Sequence, residues 1–168
     1  MIQHHLVFVH YPDGQVVEPI KREDGQYFGR PISYNGKIQM LLANFFKSSL
    51  HIFQYDICKD QVIETVSLLL AEVNDCYNLM LKQSPLMLTR QGNDGKFQII
   101  WPEKVEFDID ETEVFVFRKG SQLYFCRWYE DPDYREEIVV RKYPAGEIIE
   151  VIPGSWTAMP DGRMWVLQ

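Results

Sequence analysis

The chain is poor in the features that most readily declare a function. Its three cysteines, Cys58, Cys76 and Cys126, are odd in number and irregularly spaced. That excludes a disulfide framework and suits a reducing compartment. No stretch approaches the roughly 18 to 20 apolar residues of a membrane helix; the longest run, Val62 to Leu70, is broken by Glu64, Thr65 and Ser67. Met1-Ile2-Gln3-His4-His5 lacks the basic start of a secretory signal, so a soluble cytoplasmic protein is expected. Positive charge is scarce as well. Seventeen Lys and Arg face 24 Asp and Glu, a formal net charge of −7. Nucleic acid is held by cations that displace its counterions, and anionic membranes are held the same way. Neither partner is expected here.

Catalytic and cofactor motifs are missing too. There is no Gly-x-Ser-x-Gly elbow and no Gly-x-x-x-x-Gly-Lys-[Ser/Thr] or Gly-x-Gly-x-x-Gly phosphate loop. Gly92-Asn93-Asp94-Gly95-Lys96 is too short for a phosphate cradle and reads as a hairpin turn. His4, His5, His10 and His51 show no zinc-ligand spacing. A calcium loop beginning at Asp108 fails, because its sixth and twelfth positions hold Glu113 and Lys119. The expectation is a chain without metal, cofactor or catalytic residues.

What is present is a globular composition, 46% apolar and 14% aromatic, with β-prone aromatics in abundance. Ile2 to Tyr11 reads as a strand, Pro12-Asp13-Gly14 as a turn, and Gln15 to Ile20 as the return strand. Ile38, Leu41, Leu42 and Phe45 fall at i, i+3, i+4 and i+7, so the spacing predicts a helix over Lys37 to Ser48. Val62, Val66, Leu69, Val73, Tyr77 and Met80 predict a longer helix over about residues 59–82, stopped by Ser84-Pro85. After residue 85, short β-prone runs alternate with turns, among them Lys119-Gly120-Ser121, Pro144-Ala145-Gly146 and Asp161-Gly162. The expected fold is α+β: an antiparallel sheet of many short strands, mostly after residue 85, packed with two helices. Residues 1–168 read as a single domain, with residue 85 as the place where a division would fall.

One pattern is informative. Between residues 103 and 137 lie eleven acids and five bases, so almost the whole negative excess sits in 35 residues. The acids form two clusters, 103–113 and 130–137, which bracket a hairpin of Val114 to Tyr129. A hairpin brings its ends together, so both clusters are expected at one end of the sheet. Trp128, Tyr129, Tyr134 and Tyr143 lie beside them, and aromatics next to charge are what binding hot spots consist of.

This profile, carried by Asp108-Ile109-Asp110-Glu111 and Glu130-Asp131-Pro132-Asp133, resembles bacterial immunity proteins of contact-dependent growth inhibition and related polymorphic-toxin systems. The resemblance implies a non-enzymatic protein that neutralises a cognate basic toxin, a nuclease in many such systems, by covering its active site. A standard interface of about 1,600 Å² would suffice. The expected partner-binding residues are Asp108, Asp110, Glu111, Glu113, Trp128, Glu130, Asp131, Asp133, Tyr134, Glu136 and Glu137. Two alternatives stand beside this reading. One is a small hydrolase assembled from dispersed residues, using His10 or His51. The other is a phage or mobile-element protein that binds nucleic acid through Lys21, Arg22, Arg30 and Lys37 with Tyr27 and Phe28.

Overall fold

The computed structural model describes residues 4–159 and 163–167. The Asp161-Gly162 turn and the first residues of the Ile2 to Tyr11 strand lie outside the described residues. The chain divides into two compact units, Met1–Leu86 and Met87–Gln168, and the junction falls where Ser84-Pro85 changes the character of the sequence.

In the first unit, β1 (Phe8–Val9) and β2 (Val16–Val17) form a short hairpin around Pro12-Asp13-Gly14. The main sheet contains β3 (Gln26–Phe28), β4 (Ile32–Tyr34), β5 (Lys37–Asn44), β6 (Ser49–Asp56) and β7 (Gln61–Leu69). β3 and β4 both pair with β5, followed by β6 and β7, all antiparallel. A single 3-10 turn, Leu70–Glu72, follows β7, and β8 (Met80–Gln83) lies beside β4 and β5.

Both expected helices are therefore absent, and the α+β class is replaced by a nearly all-β one. The reasons differ. In β5 every residue from Gln39 to Asn44 is buried. A strand covered on both faces carries a continuous apolar run, and such a run also satisfies the helical spacing of Ile38, Leu41, Leu42 and Phe45. In β7 the cause is a β-bulge. Ile52 faces Val66 but Phe53 faces Glu64, so Thr65 is the extra residue. Val62 and Val66 are four apart, as on one helical face. The bulge puts them on opposite faces of the sheet. The run Val62, Ile63, Thr65 and Val66 is β-branched, which is the signal that favours a strand.

The second unit is two antiparallel meanders. The first is β9 (Leu86–Gln91), β10 (Lys96–Trp101) and β11 (Val105–Asp108). The second is β12 (Glu113–Lys119), β13 (Gln122–Tyr129), β14 (Arg135–Lys142) and β15 (Ile148–Pro153). A last hairpin pairs β16 (Ser155–Ala158) with β17 (Met164–Leu167). The two meanders share one core of Met87, Phe97, Ile99, Phe115, Leu123, Phe125 and Val139. Phe97 is its hub, 4.8 Å from Phe115 and 5.1 Å from Phe125 between ring centroids. Among the described residues, no helix is long and apolar enough to cross a membrane.

The β14–β15 turn closes over this core at Gly146, whose φ is +76° and whose missing side chain leaves room for the Phe107 ring. Gly146→Ala is expected to lower stability by about 1–3 kcal/mol from the forced shift of that ring, added to backbone strain. Gly120→Ala, at φ +59° in open space, carries the backbone term alone, about 1 kcal/mol. Urea midpoints of the two variants check the difference; equal losses would contradict the packing argument.

Candidate functional site

The acidic band is built on the second meander. Glu113 of β12 lies opposite Arg127 of β13, and Tyr129 lies opposite Arg135 of β14. The segment entering β12 and the turn joining β13 to β14 therefore emerge at the same end of the sheet. Within that end the charges have two fates.

One group is held internally. Glu113 is completely buried. Arg141 grips both of its oxygens, with Nε to Oε2 at 3.0 Å and Nη2 to Oε1 at 3.0 Å. Its guanidinium also lies 5.6 and 5.8 Å from the Phe107 and Phe125 rings and donates to the Gly146 carbonyl at 2.7 Å. Arg127 adds a cation 3.7 Å from Glu113 and donates to Glu137 at 2.8 Å. Glu136 accepts the Tyr134 hydroxyl at 2.6 Å, which pushes the Tyr134 phenol up. Arg90 repeats the theme in the first meander: almost fully buried, it bonds Asp94 and Gln98, and holds the Asp94 carboxyl below its usual range.

The other group faces outward. Glu111, Glu130, Asp131 and Asp133 are exposed. Asp110 is exposed too, and its carboxylate accepts the Thr112 amide and hydroxyl at 3.0 Å each. These bonds, the amide foremost, lower its pKa. Trp128, 38% exposed, and Tyr134, 66% exposed, stand next to them. Asp108 is exposed but lies toward β10, 3.9 Å from Lys96. Lys96 and Gln98 hold Glu106, and Glu103 sits at the far end of the sheet, where it accepts the Tyr143 hydroxyl.

Of the expected residues, then, Asp110, Glu111, Trp128, Glu130, Asp131, Asp133 and Tyr134 come together on the surface. Glu136 and Glu137 flank them with partners already in place. Glu113 is closed to any partner, and Asp108 is exposed with Lys96 beside it. The arginines that neutralise Glu113 went unnoticed in the sequence. Their signal is the strand period: Glu113, Arg127 and Arg141 are each two residues from a core residue, namely Phe115, Phe125 and Val139, and so share the inward face.

Of the basic residues Lys21, Arg22, Arg30 and Lys37 in the first unit, Lys21 and Arg30 are exposed, and the other two have side-chain partners. Lys37 is bonded to Asp56, and Arg22 donates to His5 Nε2 at 3.1 Å with Asp24 at 3.7 Å. His10 is bonded to Asp13 at 2.7 Å, and His51 to Ser49 at 2.8 Å. No group of three or more His, Cys, Asp or Glu side chains arranged to hold a metal ion occurs among the described residues.

Glu113→Gln leaves Arg141 buried without a counter-charge and is expected to cost about 3–5 kcal/mol in a urea melt. Glu137→Gln, at the partly exposed rim of the same ladder, is expected to cost about 1 kcal/mol or less. The Lys37 bond lowers the Asp56 pKa. A carboxylate whose folded pKa lies below its unfolded one stabilises the fold above the unfolded value, near pH 4, and that contribution is lost as pH falls through the folded value. Lys37→Met should therefore flatten the fall in urea midpoint between about pH 6 and pH 2.5; an unchanged slope would contradict the assignment. No protein-family model, curated protein or solved structure matches the chain, so its own residues carry the functional argument.

Proposed function

We propose that this chain is a docking protein that neutralises a cationic protein, as an immunity protein neutralises a basic toxin domain. One observation carries the reading. The β12–β14 register brings two loops to one end of a sheet, and there Asp110, Glu111, Glu130, Asp131 and Asp133 are exposed beside Trp128 and Tyr134. Carboxylates at a common rim sum their fields and steer a cationic partner toward it. The two aromatics supply contact area that slows release. Inhibition would follow from occlusion, and the acidic end needs no chemistry of its own for it. The internal ladder supports the same reading, because Glu113 and Glu137 hold the strand ends under both loops and so preorganise the rim.

The test uses the full chain as bait in native lysate of its source cells. A cationic protein is expected to co-purify. Against that protein, a variant with Glu111→Gln, Glu130→Gln, Asp131→Asn and Asp133→Asn combined should associate several-fold more slowly at low salt. The difference should shrink as salt screens the field. Recovery of no cationic partner, or equal association rates at low salt, would overturn the proposal.

A further inference from the structure

The first unit holds a second group of side chains that the docking reading does not use. Ser49, His51 and Phe53 alternate along β6 and so share one face of the sheet. Across the strand gap Ser49 is opposite Leu69, His51 opposite Ser67, and Phe53 opposite Glu64. The last pairing exists only because of the bulge at Thr65. In an unbroken ladder Thr65 would oppose Phe53, and Glu64 would point to the other face. The Thr65 hydroxyl bonds the Ile52 carbonyl at 3.0 Å, which fills the interrupted ladder. Bulges occur beside active sites because they re-aim a side chain, and this one aims a carboxylate at an imidazole.

The result is a connected set. Ser49 Oγ lies 2.8 Å from His51 Nε2, and Glu64 Oε2 lies 3.3 Å from His51 Nδ1. Ser67 Oγ is 3.5 Å from the same Nδ1. Glu64 lies within ion-pair distance of Nδ1, and its negative charge favours the proton on that nitrogen; Nε2 is then an acceptor and the Ser49 hydroxyl donates to it. The His51 side chain is 19% exposed and stacks on Phe53 at 5.9 Å, and Glu64 is 44% exposed. Ser49 opens β6 directly after a tight turn in which Ser48 has φ +51°. Asn44, opposite Ser49 on β5, is buried and accepts the Lys47 amide through Oδ1.

From this geometry we propose that Ser49 is a nucleophile activated by His51, with Glu64 as the positioning residue, and that the site cleaves small carboxylic esters with an apolar acyl group. Nucleophilic catalysis needs a hydroxyl bonded to a base and a carboxylate near that base, and here Ser49 is bonded to His51 with Glu64 at ion-pair distance from its other nitrogen. Leu69, 65% exposed and opposite Ser49, and Phe53 provide the apolar surface for the acyl group. Ser49 Oγ forms a bond to the carbonyl carbon, its proton passes to His51 Nε2, and the carbonyl electron pair moves onto oxygen. The carbon–oxygen bond to the alcohol then breaks, and Nε2 returns the proton to the leaving oxygen. Water repeats the sequence, releases the carboxylic acid and restores Ser49.

The test is independent of the docking proposal, since it uses the purified full chain and no partner. A fluorophosphonate probe is expected to label Ser49, forming the oxygen–phosphorus bond and releasing fluoride, with the site located by peptide mass spectrometry. Ser49→Ala should abolish the label. His51→Gln should slow labelling about 100-fold, the scale of a lost general base. With p-nitrophenyl butyrate, Glu64→Gln should lower kcat about tenfold or more at unchanged KM. Circular dichroism establishes that each variant is folded. If Ser49→Ala does not fold, the His51→Gln rate decides. The proposal is overturned by no label on Ser49 in the folded wild-type chain, by labelling that persists at equal rate in His51→Gln, or by label found only on other residues.

Discussion

A carboxylate with no exposure to water sits among phenylalanines in the second unit, and much of that unit's geometry follows from satisfying it. Glu113 in a low-dielectric interior is tolerable only if its charge is matched and its oxygens are bonded. Arg141 does both, with a two-point grip that only a planar guanidinium can make. The pair ties β12 to β14 across β13. A slip of one residue in either strand would turn one partner outward and leave the other buried alone. The Gly146 carbonyl bound by the same guanidinium brings the β14–β15 turn into the arrangement, and Phe107 packs where that glycine lacks a side chain.

Opposite charges close to one another in sequence therefore serve unlike purposes. Those on the inward face of β12, β13 and β14 neutralise one another and set register. Those on the two loops beyond the strand ends stay in water, with Trp128 and Tyr134 among them. The inner set holds the platform on which the outer set is displayed. A net charge counted along residues 103–137 overstates what a partner would meet, because Glu113 is hidden and Glu137, Glu106 and Glu103 already have donors. The negative field that remains is smaller but more concentrated, and it is the part on which the docking reading rests.

In the first unit one irregularity has several effects. The Thr65 bulge breaks the period of β7, so the sequence imitates a helix there. The same bulge carries Glu64 to the face of His51, 3.3 Å from its Nδ1. Local disorder in a pattern, which counts against a strand when the sequence is read by periodicity, is here what brings Glu64 beside His51.

Much of the chain's β character was legible without coordinates. Turn residues such as Pro12-Asp13-Gly14, Gly92-Asn93-Asp94-Gly95 and Lys119-Gly120-Ser121 mark hairpins because their backbone preferences are local, and the strands after residue 85 follow from them. The convergence of the 109–112 and 130–134 loops also follows from hairpin connectivity alone. The sequence could not distinguish a strand buried on both faces, β5, from a helix, since spacing along a short apolar run suits both. It could not show a bulge, because one inserted residue has no signature of its own. Nor could it say which acid would be swallowed by the core, for Glu113 and Glu111 are alike in type and neighbourhood. That choice belongs to the tertiary structure, where packing brings Arg141, 28 residues away, over the phenylalanine rings to one carboxylate and leaves the others in water.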